Sequence, residues 1–256
     1  MNLTKLTNLM SRTADVLGIF QSGLRLLLLL ILIAPASRVS LANAAPRNLA
    51  LPARFAVPAA DTAKITYRRI FKGSVPEFIE INISDDGAAT FDIRQLSEDA
   101  DPQPFEVGAA VRAKLFELAG QLHNFAGIDL DVHRRIADLG EKTLRYEKGA
   151  TVQETHFNYT TNRDASQLVT IFEGLSRQME DQTALEQKSK YDRLGVNDAL
   201  LHLEGDLAQR TLPEPERLLP VLDRIAADSR LVEVARQRAR SLAERIRASE
   251  TPAPNQ

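Results

Sequence analysis

Residues 78–84 (FIEINIS) alternate without a break, with Ile79, Ile81 and Ile83 on one parity and Glu80, Asn82 and Ser84 on the other. A period of two marks a strand with one buried and one wet face. Asp85-Asp86-Gly87 follows, a turn sequence that tolerates positive φ, and Ala89, Phe91 and Ile93 then resume the apolar parity. The chain is thereby committed to an antiparallel hairpin. A hairpin with one apolar face needs further strands or helices to cover it.

Other segments supply both. Residues 63–71 (AKITYRRIF) are rich in β-formers, and their apolar parity shifts at Ile70-Phe71, as at a strand end or bulge. Residues 142–147 and 151–159 flank Lys148-Gly149 and read as a second hairpin. Val111, Leu115, Leu118, Ala119 and Leu122 recur at helical spacing within 108–125. A short helix is expected over 132–139, ending at Gly140 as a left-handed cap. Asp164 followed by Gln167 resembles a capping box opening a long helix with Leu168, Phe172, Leu175, Met179 and Leu185 inside. No proline falls between Phe105 and Leu212, so elements there can run on. Three helices follow, over 197–209, 214–227 and 230–248.

Strands and helices do not alternate, which argues against a parallel doubly wound sheet. The expected fold is α+β: an antiparallel sheet of about four to five strands packed on helices, followed by an all-helical C-terminal region.

The run LLLLLILIA (26–34) would rise about 14 Å as a helix, roughly half a bilayer core. Arg25, Arg12 and Lys5 precede it, and Ala34-Pro35-Ala36 and Ala42-Asn43-Ala44 offer small-x-small cleavage sites. That pattern is a secretory signal. The organisation expected is a signal peptide (1–44), a flexible Ala/Pro-rich linker (45–60), the α+β domain (61–195), a helical region (196–250) and a disordered tail (251–256). The mature protein is then periplasmic or secreted, with no stable membrane insertion after cleavage. Retention of 26–34 as an uncleaved anchor is the alternative.

Composition narrows the chemistry. The chain has no Cys, which removes thiol catalysis, Cys-bound zinc, iron–sulfur clusters and lipoprotein anchoring. Thirty-two Lys+Arg against 34 Asp+Glu is too balanced for a nucleic-acid binder, so no nucleic acid is expected. His123, Asp129, Asp131 and His133 lie close enough in sequence to ligate a metal, but zinc needs three or four convergent groups. The same carboxylates also suit turn and cap positions, which is the favoured reading, with no metal there and no cofactor. Gly140-Glu141-Lys142-Thr143 departs from a phosphate loop, because a strand rather than a helix follows. Ser74 lacks a nucleophile elbow. Arg236, Arg238, Arg240, Arg245 and Arg247 make the last helix basic, but Glu233 and Glu244 dilute it to a solvated face.

Two likenesses add to this reading. YRRIFKGSVPEFIEINISDDGAATFDIR, with GEKTLRYEKG later, resembles small exported bacterial α+β domains of uncharacterised function, over residues 63–160. That resemblance implies fold and export only. Residues 214–249 resemble one HEAT-type helix pair, on Leu219-Pro220, Leu222, Asp228, Val234-Ala235-Arg236, Ala239 and Leu242. It implies protein binding. The function expected is therefore that of an exported, non-catalytic protein binding an envelope protein partner through its C-terminal helices. The alternative is a periplasmic hydrolase whose site is assembled from separated residues, with His123 or His156 meeting carboxylates.

Overall fold

The computed structural model describes residues 61–250. The expected signal peptide, linker and tail lie outside the described residues.

Six strands form one antiparallel sheet: β1 (Lys64–Ile70), β2 (Phe78–Ser84), β3 (Ala88–Arg94), β4 (Gln103–Glu106), β5 (Glu141–Lys148) and β6 (Thr151–Phe157). Their spatial order is β4-β3-β2-β1-β5-β6. The β2–β3 register pairs Ile79 with Ile93 and Ile81 with Phe91, as the alternation requires. β1 ends at Ile70, where its parity shifts. The sheet has one strand more than the upper figure of four to five. That strand is β4, which carries Pro104 and has a neighbour on one side only. Proline is tolerated there because an edge strand has a free N–H side.

Helix α1 (Ala109–Gln121) and the long α2 (Arg163–Tyr191) cover the apolar face of the sheet. Ile65, Tyr67, Ile81, Ile83 and Leu144 from the strands pack with Leu115, Leu118, Leu168 and Phe172 in one core. The Tyr67 and Phe172 rings stack at 5.2 Å. On the opposite face, cross-strand polar pairs such as Arg68–Glu80 (2.7 Å) and Thr66–Asn82 (2.6 Å) form a hydrogen-bonded lattice.

α2 begins earlier than a capping box at Asp164 would place it. Asn162 is the N-cap, its side-chain oxygen accepting from the backbone N–H groups of Asp164 and Ala165, both at 3.0 Å. The expected helix over 132–139 does not form. Its backbone is satisfied across space instead: Leu139 N–H donates to Asn158 Oδ1 (2.8 Å), Asn158 Nδ2 to Ala137 O (3.0 Å), and Val132 N–H to Tyr159 O (3.2 Å). Ile136 and Leu139 are exposed, so the segment has no apolar face to bury as a helix. Gly140 still adopts the left-handed conformation (φ +85°), but it leads into β5 rather than ending a helix.

Beyond α2 the chain is helical: α3 (Val196–Gln209), a 3-10 turn (Pro215–Leu218), α4 (Leu219–Ala227) and α5 (Glu233–Glu250). Leu185 of α2 packs with Leu200, Leu203, Leu222, Ala239 and Leu242 in a second core. α2 therefore serves both cores. The segment before the 3-10 turn crosses α2 so closely that a Cβ on Gly174 would lie 2.5 Å from Thr211 O. Among the described residues, no helix is long and apolar enough to cross a membrane.

Candidate functional site

The loop after α1 brings together three of the four expected metal candidates. His133 Nε2 lies 2.6 Å from Asp129 Oδ2, and His133 Nδ1 lies 3.4 Å from Asp131 Oδ2. Both carboxylates have structural work. Asp129 Oδ1 accepts from Asp131 N–H at 3.1 Å, while Asp131 accepts from the N–H groups of His133 and Asn158, each at 3.0 Å. The hydrogen bond from His133 lowers the Asp129 pKa and raises that of His133. Asp131 is lowered chiefly by the His133 backbone N–H. These are turn-forming contacts on an exposed loop. His123 starts a 3-10 turn (His123–Phe125) with an exposed side chain and is not drawn into the group.

His156 lies on the outer face of the β5–β6 hairpin, with Nδ1 3.0 Å from Thr143 Oγ1 and Nε2 2.8 Å from Glu154 Oε1. A cleft of about 880 Å³ opens between the β3–β4 edge and α2, with Phe91, Phe105 and Met179 lining it beside Glu98, Asp99 and Glu186. No histidine lines it.

A different cluster converges between α2 and α3. These helices fold back on each other through a short turn, placing Asp181 opposite His202 and Asp206, which are one helical turn apart. His202 Nδ1 is 2.9 Å from Asp181 Oδ1 and 3.6 Å from Asp206 Oδ2. Asp181 is nearly sealed (side chain 3% exposed), whereas His202 opens to solvent (69%). The second oxygens, Asp181 Oδ2 and Asp206 Oδ2, are buried and have no hydrogen-bond partner. Burial pushes the Asp181 carboxyl up to about 6, and its hydrogen bond raises the His202 pKa in turn. One ligand atom from each of the three residues falls within 4.8 Å of the others, so this group can hold a cation.

Sequence reasoning passed over Asp181 and Asp206. The His202-x-x-x-Asp206 spacing on a helix was the one local signal, and nothing in sequence tied Asp181 to it.

Large apolar side chains are exposed at one end of the helical region. Tyr191 (76% exposed) and Leu194 (81%) stand at the α2–α3 turn, and Val232 and Val234 stand at the start of α5. The two places adjoin: Arg238 of α5 hydrogen-bonds Asn197 of α3, and Lys190, Asp228 and Arg230 line one shallow depression. Lys190 Nζ sits 4.8 Å from the Tyr191 ring centre, and Arg193 is a further exposed cation beside the patch.

No protein-family model matches this chain, and comparison with curated proteins finds no match.

Proposed function

We propose that this is an exported, non-catalytic protein that works by binding an envelope protein partner at the apolar end of its helical region. The observation that carries this reading is the exposure of Tyr191 and Leu194 at the α2–α3 turn and of Val232 and Val234 at the start of α5. Single exposed apolar residues are ordinary, but two pairs of them on neighbouring turns offer anchors suited to a partner. Lys190 and Arg193 border them, while Arg230 is already paired with Asp228 at 2.7 Å, so the fitting partner presents mainly apolar side chains with a carboxylate near Lys190 and Arg193. The HEAT-like residues of α4 and α5 support the same reading, because Leu222, Ala235, Ala239 and Leu242 form their buried seam and leave the outer surface for contact. Export rests on the apolar run at 26–34 and its cleavage sites.

The Leu194→Asp/Val234→Asp double variant tests it. Both side chains are exposed, so folding stability should stay within about 0.5 kcal/mol of the parent for each change. Affinity for a partner isolated with the parent protein is expected to fall about 100-fold, as for loss of two interface anchors. Undiminished binding by the double variant would overturn the assignment.

The hydrolase alternative draws less support. The acidic cleft beside β4 has no histidine along it, and His156 meets Glu154 on the half-exposed outer face of the β5–β6 hairpin.

A further inference from the structure

The Asp181–His202–Asp206 group has features that helix packing does not require. One oxygen of Asp206 has neighbours on its outer side: Thr211 Oγ1, whose single hydrogen is shared between Asp206 O at 3.2 Å and Oδ1 at 3.4 Å, and Arg177 Nε, 3.9 Å from Oδ1. That arrangement leaves Asp206 Oδ2 turned towards Asp181 and His202, buried and without a hydrogen-bond partner. Asp181 is engaged through Oδ1 with His202, while its buried Oδ2 is likewise unpartnered. Two orphaned carboxylate oxygens beside an imidazole nitrogen are costly in a protein interior, because each forgoes its solvation.

We propose that Asp181, His202 and Asp206 form a binding site for a divalent ion of the zinc type, joining α2 to α3.

The donor set fits that class. One imidazole with two carboxylates suits zinc and its first-row neighbours, whereas magnesium and calcium prefer oxygen alone. Ion–ligand bonds of about 2.0–2.2 Å place tetrahedral ligand pairs roughly 3.3–3.6 Å apart, and His202 Nδ1 stands 2.9 Å from Asp181 Oδ1 and 3.6 Å from Asp206 Oδ2, on either side of that spacing. Charge balances as well, since the ion's two positive charges meet two carboxylates. His202 binds as the neutral imidazole with its hydrogen on the solvent-exposed Nε2: the proton shared by Nδ1 and Asp181 Oδ1 passes to solvent, or to Nε2 where that nitrogen lacks one, and the Nδ1 lone pair turns to the ion. Thr211 and Arg177 play the orienting part that outer-shell partners usually play. The exposed His202 ring supplies the entry path, and solvent fills the ion's remaining positions.

Three protein ligands from two helices would also pin the helical hairpin that carries Leu194. This inference does not depend on the partner-binding reading. The ion site lies ten residues before Tyr191 on α2, and each can stand if the other fails.

The test uses the full-length chain stripped with chelator, titrated with zinc by calorimetry and with cobalt(II) by its visible absorption. The expected result is one equivalent bound and a raised melting temperature. His202→Ala and Asp206→Asn should each weaken zinc binding at least 10-fold, while His133→Ala leaves it unchanged and magnesium does not compete. No saturable binding would overturn the proposal. So would equal binding by the parent and both site variants, or loss of binding in His133→Ala alone, which would move the site to the 129–133 loop.

Discussion

Glu214→Ala is expected to destabilise the protein by about 2–3 kcal/mol, as when a charged group that accepts hydrogen bonds is removed from a largely buried position. Glu214 is nearly inaccessible, yet its carboxylate makes two bonds: Oε1 accepts from Gly108 N–H at 2.6 Å and Oε2 from Arg217 Nε at 3.0 Å. Its own N–H donates to Gln178 Oε1 at 3.1 Å. Gly108 is the N-cap of α1 and has no side-chain cap, so Glu214 brings negative charge to that helix start from the helical region. The approach is so close that a Cβ on Gly108 would lie 2.0 Å from Glu214 Oε1. Truncating Glu214 leaves the N–H of half-buried Gly108 without its acceptor and removes the nearer of the two carboxylates on Arg217, whose other partner is Glu106 at 3.2 Å. Glu214→Gln keeps an acceptor and should cost less, about 1–2 kcal/mol. Urea titration measures both. A loss under about 1 kcal/mol for Glu214→Ala would mean that this bridge does not hold the two cores together.

Asp181→Asn should act in the opposite direction. The ordinary carboxyl value of 3.8 rises to about 6 at Asp181 because burial penalises the charged form. A carboxyl raised on folding contributes stability that is fully present below its unfolded pKa and is lost as pH climbs through the folded value. Asp181 therefore costs the metal-free protein on the order of 2–3 kcal/mol of stability, lost as pH climbs from about 4 through about 6. His202 is raised as well, by its bond to Asp181, so its contribution is also lost with rising pH. Asparagine keeps an acceptor for His202 and offers N–H groups to the orphaned Asp206 Oδ2. In chelator, the variant should match the parent near pH 4 and exceed it by about 2–3 kcal/mol near pH 8. A pH-independent difference would show that the Asp181 carboxyl carries no burial penalty. Taking the difference between parent and variant removes the opposite trends from Glu77, Asp129 and Glu147, whose values are lowered.

The two variants also show which parts of this protein could be read from its sequence. The β2–β3 hairpin was legible because its determinants are local: parity, a turn and parity resumed. β4 was not. Its four residues carry Pro104, and a proline inside a short run reads as a break until the strand is known to lie at an edge. The segment 132–139 failed as a helix because Asn158 and Tyr159, on the far side of β5 and β6, supply its hydrogen bonds. The candidate ion group was illegible for a related reason. Asp181 and His202 are 21 residues apart, and their meeting depends on how α2 and α3 fold back. The His123, Asp129, Asp131 and His133 set was conspicuous in sequence because its members are neighbours there. Three do meet, in a loop whose backbone they hold. The exposure of Leu194 and Tyr191 likewise depends on the turn between α2 and α3, since apolar residues carry no sequence mark of being left in solvent.

The central claim is that the patch at the end of the helices docks a partner. A photo-crosslinking residue placed at Leu194 or at Val234, in cells producing the protein, tests it most directly, with an exposed polar position such as Glu98 at the acidic cleft as comparison. The account predicts one discrete protein adduct shared by the two patch positions, absent from the Glu98 position and suppressed at Leu194 by Val234→Asp. No adduct at either patch position, or the same adducts from all three, would contradict it.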